Sequence, residues 1–121
     1  MKFTEAKNAQ LPAIRLLGDG TPIREFLHVD DFASAIEFIL EHEIFTDPVI
    51  NVSGNTSWAI RELAELVAGV TKYEGDILFA NDGKNGAMVK LLDGSKILSF
   101  GWSPKISLQE GIARVHRNFG D

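Results

Sequence analysis

The sequence predicts an α/β fold in which short strands alternate with helices. Two observations support this prediction. Short apolar segments typical of strands are followed by longer segments whose apolar residues recur at helical spacing. Clusters of glycine, proline, aspartate and asparagine separate many of these segments, as they do at turns. The strand–helix–strand order favours some parallel pairing through right-handed crossovers.

Composition limits the class of protein. The 121 residues are 45% hydrophobic and 24% charged, which predicts one globular domain with a modest core. The chain has no cysteine, which excludes disulfides, thiol catalysis and cysteine-ligated metals and agrees with the expected cytoplasmic location. A formal net charge of −5 argues against general nucleic-acid binding. No apolar run is long enough to span a membrane.

The first half of the chain predicts two helices and three strands. In order they are a helix over residues 2–9, strands over 13–17 and 24–29, a helix over 32–40 and a strand over 49–52. Pro12 ends the first helix, because proline cannot continue a helix interior. Residues 18–22 form a turn rich in glycine. Asp30 and Asp31 precede the second helix, and either carboxylate is expected to cap its free N–H groups.

The second helix carries one apolar stripe, which is expected to face the core: Phe32, Ala35, Ile36, Ile39 and Leu40. The strand predicted over residues 49–52 is mostly apolar, and such a strand expects neighbours on both sides. The sequence offers few other strands. We therefore expect this segment to belong to a sheet that residues 1–121 do not contain.

The second half predicts three helices and one strand. Thr56 or Ser57 is expected to cap a helix whose stripe is Ile60, Leu63, Ala64, Val67 and Val70. A strand over 76–79 and a polar loop over 80–90 follow. Asp93 or Ser95 starts a short helix that Gly101 stops. Ser107 and Glu110 form a capping-box pattern before the last helix, whose expected buried face is Leu108, Ile112, Val115 and Phe119.

The sequence carries no catalytic, cofactor-binding or metal-binding motif. Neither glycine pattern for nucleotide phosphates is present, and Tyr73 has no lysine four residues after it. The histidines at 28, 42 and 116 lack metal-ligand spacing, and each is interpreted as a structural or surface residue. The ring of His28 is expected to bond a loop backbone.

Two cations are candidates for contact with phosphate. Arg24 follows a Gly/Pro turn and opens a predicted strand, and its planar guanidinium can donate two parallel hydrogen bonds. Lys90 follows the polar loop in a similar way. The alternative, that both are ordinary surface cations, stays open from position alone.

Three blocks resemble the extended short-chain dehydrogenase/reductase family of nucleotide-sugar epimerases, dehydratases and reductases. They are the segment from Gly18 to Asp31, the segment from Asn51 through Ala64, and the segments Lys90-Leu91-Leu92-Asp93 and Gly101–Ile112 near the end. They occur in family order and cover nearly the whole chain. The likeness is strongest to the GDP-L-fucose synthase branch.

The resemblance implies that residues 1–121 are the C-terminal, substrate-binding domain, with the N-terminal Rossmann domain absent. NADP(H) would then serve the full-length parent, and this part would bind no cofactor and lack catalytic residues. Its ligand would be a GDP-sugar, and a homodimer is a further expectation. The alternatives are a non-enzymatic nucleotide-sugar-binding or oligomerisation module, or part of another NAD-dependent nucleotide-sugar epimerase or dehydratase.

The resemblance also implies substrate-binding residues. Arg24 matches the arginine that contacts the nucleotide-sugar, Lys90 lies where it could approach the diphosphate, and Lys2 falls where the family often has a basic contact. Leu17 stands where the branch tends to carry tryptophan. Asn85 stands where aspartate is usual. The neighbouring residue 84 is a lysine in the place of proline, and residues 87–90 replace a more basic stretch.

Overall fold

The computed structural model of the chain describes residues 2–45, 48–83 and 85–119. These form, in chain order, α1 (Lys2–Asn8), β1 (Ala13–Leu16), β2 (Ile23–Glu25), α2 (Val29–Glu41), β3 (Ser57–Ala59), α3 (Ile60–Thr71), β4 (Asp76–Phe79), β5 (Val89–Lys90), α4 (Ser95–Ser99) and α5 (Leu108–Phe119). The alternation of short strands and helices confirms the predicted α/β class. No helix in these ranges is long and apolar enough to cross a membrane.

The described strands form two small sheets. β1 pairs with β4 in parallel, from Ala13 opposite Asp76 to Leu16 opposite Phe79. β2 is the central strand of the second sheet, with β3 antiparallel on one side and β5 parallel on the other. Both sheets therefore contain the parallel pairing that the element order predicts.

Two hydrophobic clusters hold the elements together. The first joins α1, β1 and α3 with the segment after α3, through Phe3, Ala6, Ile14, Ala64, Ala68 and Tyr73. In it the Phe3 and Tyr73 rings meet edge to face at 5.8 Å. The Tyr73 hydroxyl donates to the Leu11 carbonyl at 3.1 Å, so this buried polar group is satisfied. The second cluster is Ala35, Ile97 and Trp102, from α2, α4 and the loop after α4.

The start of α2 differs from the prediction. β2 ends at Glu25, and Val29, expected in a strand, is the first residue of α2. His28 is the N-cap, and its Nδ1 accepts the Asp30 N–H at 3.1 Å. The expectation that Asp30 or Asp31 caps the helix is therefore wrong, and the ring of His28 bonds backbone in the first turn of α2 rather than in a loop.

Asp31 instead fastens a distant loop to α2. The residue is 4% exposed, and its carboxylate oxygens accept the N–H groups of Lys105 at 3.1 Å and Ile106 at 2.9 Å. The two donors satisfy a buried charge that would otherwise be costly. The side chain joins two parts of the chain that are far apart in sequence, which local capping rules could not predict.

The predicted stripe of α2 is correct at two of its five positions. Ala35 is fully buried and Ile39 is partly buried, but Phe32, Ile36 and Leu40 are 47%, 45% and 58% exposed. These three side chains are exposed because a neighbouring face of the helix, which includes Asp31 and Ala35, lies against the rest of the chain. An apolar row therefore remains on the outside of α2.

Residues 49–52, predicted as a strand, take no part in either described sheet. Ile50 and Val52 pack against the second cluster instead. The prediction of a strand is wrong for this structure, because no described strand pairs with the segment.

The cap predicted for α3 is also wrong, although its stripe is confirmed. Ser57 begins β3, and α3 starts at Ile60. Glu62 closes the helix start by accepting the Ala59 N–H at 2.7 Å. Members of the stripe are buried or partly buried. The structure differs because Ser57 pairs with Glu25 across the sheet, which local sequence does not reveal.

The last two helices follow the predictions in part. Asp93 accepts the Ser95 N–H at 2.9 Å at the start of α4, and the chain turns at Gly101 with a φ of 106°. Ser107 accepts the Glu110 N–H at 3.2 Å at the start of α5. The carboxylate of Glu110 bonds Arg114 rather than completing the box.

The predicted buried face of α5 is wrong at two positions. Val115 is 49% exposed and Phe119 is 79% exposed, while Leu108 and Ile112 are partly buried. These residues line a hollow, so the apolar face of α5 lacks a full covering among the described elements.

Candidate functional site

The register of the second sheet places three side chains in one row. Arg24 on β2 lies opposite Trp58 on β3 and opposite Lys90 on β5. Residues directly opposite each other on neighbouring strands project from the same face of a sheet. The structure therefore brings together Arg24 and Lys90, two of the predicted binding residues that lie far apart in sequence. We call Trp58, Arg24 and Lys90 the cationic row.

The two cations of this row have no acidic partner within the described ranges. The ion pairs recorded there involve other side chains, and the Arg24 guanidinium donates through Nη1 to the Ile23 carbonyl at 2.7 Å. Like charges that face each other directly across strands are destabilising. The arrangement is therefore suited to an anion that would neutralise both.

Glu25, the residue next to Arg24, does not neutralise the row. Its carboxylate accepts the hydroxyl of Ser53, the Asn55 N–H at 2.9 Å and the Leu92 N–H at 2.9 Å. Glu25 thus ties three segments together, and its carboxylate is engaged by these donors rather than by Arg24 or Lys90.

A turn and a loop are fastened to each other beside β2. Asn85 accepts the Asp19 N–H through Oδ1 at 2.9 Å, and Asp82 accepts the Gly18 N–H at 3.1 Å. A Cβ added to Gly86 would lie 4.0 Å from Nη2 of Arg24, which places the loop close to the guanidinium. The side chain of Asn85 has a structural partner here, and its predicted contact with substrate stays a prediction.

Asp19 is held as an anion within this turn. The Thr21 hydroxyl and the Thr21 N–H donate to its carboxylate at 2.6 and 2.9 Å. These bonds, with a further one from the Asn85 side chain, lower the pKa of the exposed Asp19 carboxyl. The Asp19 carbonyl accepts from Arg61 at 2.8 Å, and the Arg61 guanidinium lies 4.6 Å from the centroid of the Phe79 ring. Arg61 is therefore committed to the scaffold.

The other predicted binding residues lie at β1. Leu17 follows this strand and is 74% exposed. The Lys2 ammonium donates to the Arg15 carbonyl, and no recorded contact joins it to the cationic row. Lys84, whose replacement of proline was noted above, lies outside the described residues. The roles of Lys2 and Leu17 in binding stay predictions.

Hollows open on the surface of the described part of the chain. One, of about 300 Å³, is lined by Arg24, Glu25, Lys90 and the chain around Gly54. Another, of about 590 Å³, lies among α1, the segment before α2, α3 and α5, and its lining is mostly apolar. Among the residues that the structure describes, the buried Thr4 hydroxyl at its wall has no hydrogen-bond partner. In the described ranges, no group of three acidic or histidine residues could hold a metal.

Sequence reasoning missed Trp58. The interpretation of residues 56 and 57 as a helix cap leaves no strand there and therefore no cross-strand partner for Arg24. The signal was available in principle, because Ser-Trp-Ala between a glycine-containing turn and a helix is compatible with a short strand.

The chain is similar to known proteins in sequence and in fold. The model of the family described as "NAD dependent epimerase/dehydratase family" matches residues 1–53. A probable GDP-L-fucose synthase 1 of Oryza sativa subsp. japonica is 39% identical over 116 residues, which is 96% of this chain and 35% of that protein. The GDP-L-fucose synthase of Escherichia coli (strain K12) is 39% identical over 126 residues, covering 98% of this chain and 39% of that protein.

A solved structure extends the likeness to the fold. A GDP-mannoheptose C4 reductase from Campylobacter jejuni with NADP bound superposes with a TM-score of 0.79 at 27% identity, over 98% of this chain and 40% of that one. The chain thus spans little more than a third of the length of the relatives it matches. In sequence the chain is similar to the NAD dependent epimerase/dehydratase family over residues 1–53 and to GDP-L-fucose synthases, and in fold it is similar to the Campylobacter reductase.

Proposed function

We propose that the chain is the substrate-side domain, residues 1–121, of a GDP-L-fucose synthase-like enzyme. In that role it binds the diphosphate of a GDP-sugar and is not catalytic alone. The observation that carries the proposal is the pair Arg24 and Lys90, opposite each other in register with no acidic partner in the described structure. The named activity of the relatives supports the choice of a GDP-sugar as ligand.

The two cations would share the diphosphate. The Arg24 guanidinium is suited to two parallel N–H···O bonds with one phosphate, and the Lys90 ammonium supplies a mobile point charge for the other. Binding would also remove the repulsion between the two cations. The net charge of −5 does not oppose this, because local cations decide where a small anion binds.

The reduction step of such an enzyme needs a nicotinamide cofactor as hydride donor. We propose that NADP(H) is held by a Rossmann domain outside these residues. The sequence of this chain does not fit a dinucleotide site, since it has no G-x-G-x-x-G after a strand. The NADP-bound Campylobacter reductase supports NADP(H) as the cofactor of the whole enzyme.

Titration calorimetry with GDP at low salt tests the binding site. We expect Arg24→Ala and Lys90→Ala each to weaken binding by about 1.5–3 kcal/mol, the usual cost of losing a bond to a charged group. Arg117→Ala, which removes an exposed charge near the end of α5, is the matched control and should leave affinity unchanged. Unchanged affinity in Arg24→Ala would contradict the proposal.

An activity assay tests the claim that the chain is not catalytic alone. We expect no turnover of GDP-4-keto-6-deoxymannose with NADPH, because the sequence lacks the Tyr-x-x-x-Lys pair and the cofactor motif. Turnover by residues 1–121 would show that the catalytic set has been misidentified.

A second candidate is an oligomerisation module, and the exposed apolar row on α2 favours it. In this proposal the chain forms a homodimer, with or without nucleotide-sugar binding. The cytoplasmic location stays a prediction, which fractionation of the source cells would test.

A further inference from the structure

We propose that Trp58 is a stacking platform for the nucleobase of the ligand whose diphosphate Arg24 and Lys90 bind. The inference rests on the proposed function and adds a residue that the sequence did not single out. It makes the cationic row a complete nucleoside diphosphate site, with an aromatic residue at one end and an ammonium group at the other.

The order of the row carries the proposal. Trp58, Arg24 and Lys90 sit on three successive strands, with Arg24 in the middle. Neighbouring strands lie about 4.8 Å apart, so the row extends over roughly 10 Å. A nucleoside diphosphate has its base at one end and its phosphates at the other, joined by a ribose. Its two ends match the two ends of the row when the phosphates lie between Arg24 and Lys90.

Among the described residues, Trp58 is not part of the hydrophobic packing that holds the helices and strands together. It belongs to neither hydrophobic cluster and is only partly buried. Its Nε1 donates to Thr56 Oγ1 at 3.3 Å, a bond that limits rotation of the indole. Trp102 is a contrast within the same chain. It is 6% exposed, lies in the second cluster and donates through Nε1 to Ser34 at 3.0 Å.

The indole face is not taken by a neighbouring cation. In the part of the chain that the structure describes, the recorded cation–π contact joins Arg61 and Phe79, on the other side of the turn. The Arg24 guanidinium is instead close to its own backbone and to the loop at Gly86. Stacking of a base on an aromatic ring tolerates any base, so Trp58 would contribute affinity for the nucleoside and not the choice of guanine.

Calorimetry with two probes, GDP and inorganic pyrophosphate, separates the platform from the phosphate site. We expect Trp58→Ala to weaken GDP binding by about 5- to 150-fold, the range for one stacked base, and to leave pyrophosphate binding unchanged. Trp58→Phe should retain most of the GDP affinity. Arg24→Ala should weaken both probes. In the wild-type chain GDP should quench tryptophan emission, and Trp58→Phe should remove that quenching, since Trp102 is buried.

Each outcome decides one claim. If Arg24→Ala weakens the binding of both probes but Trp58→Ala leaves GDP affinity intact, the stacking role of Trp58 is wrong and the phosphate site is supported. If Trp58→Ala weakens the binding of both probes equally, Trp58 only stabilises the sheet, and its proposed stacking role is again wrong. If the wild-type chain binds neither probe, the proposed function fails and the inference with it. Far-UV circular dichroism of each variant confirms that the compared chains are folded.

Discussion

Two adjacent aspartates show how much a residue's role depends on distant parts of the chain. Asp30 and Asp31 look equivalent in sequence, as acidic residues at a helix start. In the structure Asp31 is 4% exposed and holds the loop at Lys105 and Ile106, whereas the side chain of Asp30 is 64% exposed. Only Asp31 is expected to contribute strongly to stability.

We expect Asp31→Ala to lower the free energy of unfolding by about 2–3 kcal/mol, because the N–H groups of Lys105 and Ile106 lose their charged acceptor. Asp30→Ala is the matched control. It removes an exposed ion pair with Arg114 at 3.5 Å, which contributes less than about 1 kcal/mol. Urea denaturation of both variants provides the measurement, and equal effects would show that the loop contact is not formed in solution.

The candidate site was predictable at some residues and not at others. Arg24 and Lys90 could be proposed from residue chemistry and from family resemblance, because both signals are local. Their juxtaposition, and the position of Trp58 beside them, depend on the pairing of three strands of two or three residues each. Strands this short leave almost no periodic pattern, so their partners cannot be identified from one sequence.

At the scale of elements, helices were predicted better than strands or helix faces. The periodicity of α2 and α3 is local and strong, so their existence follows from the sequence. Which part of an apolar stripe becomes buried depends on what packs against it. For α2 the described structure covers the side with Ala35 and leaves Ile36 45% exposed.

Two isoleucines test this view of α2 and its neighbour α4. We expect Ile97→Ala to destabilise the chain by about 2–5 kcal/mol, because Ile97 is fully buried between helices and its removal leaves a cavity. Ile36→Ala should cost less than about 1 kcal/mol, since much of that side chain is already in water. Chemical denaturation compares the two variants directly. A large loss in Ile36→Ala would mean that the outer face of α2 is covered in solution.

The hydrogen bonds of Asp19 with Thr21 and Asn85 predict that the free energy of unfolding depends on pH. Because hydrogen bonds from Thr21 and Asn85 lower the pKa of Asp19 in the folded chain, its carboxylate contributes stability above the unfolded pKa, near 3.8. That contribution is lost as pH falls through the lower, folded value. The difference in unfolding free energy between wild type and Asp19→Asn should therefore shrink as pH falls below about 4. Thr21→Val should show the same trend, and a constant difference across this range would contradict it.

At the scale of the whole molecule, the surface is large for the mass. A monomeric protein of 13.3 kDa is expected to expose about 6,400 Å², whereas this chain exposes 8112 Å². The excess of roughly 1,700 Å² is about twice the area of about 800 Å² that each partner buries in a standard protein–protein interface. Apolar rows on α2 and α5 lie on this surface. The prediction from sequence underestimated the exposed apolar surface, because it placed the apolar stripes of α2 and α5 against a core within the chain.

This excess surface predicts self-association of the chain. Exposed apolar rows of this extent favour burial against another surface, so sedimentation velocity should show a shift from monomer to dimer as concentration rises. The variant F32S/I36S/L40S removes the apolar row of α2 and should remain monomeric. Because those three side chains are about half exposed, the variant should still fold, which circular dichroism checks. A wild-type chain that stays monomeric at high concentration would rule out the homodimer and leave the substrate-side role as the remaining proposal.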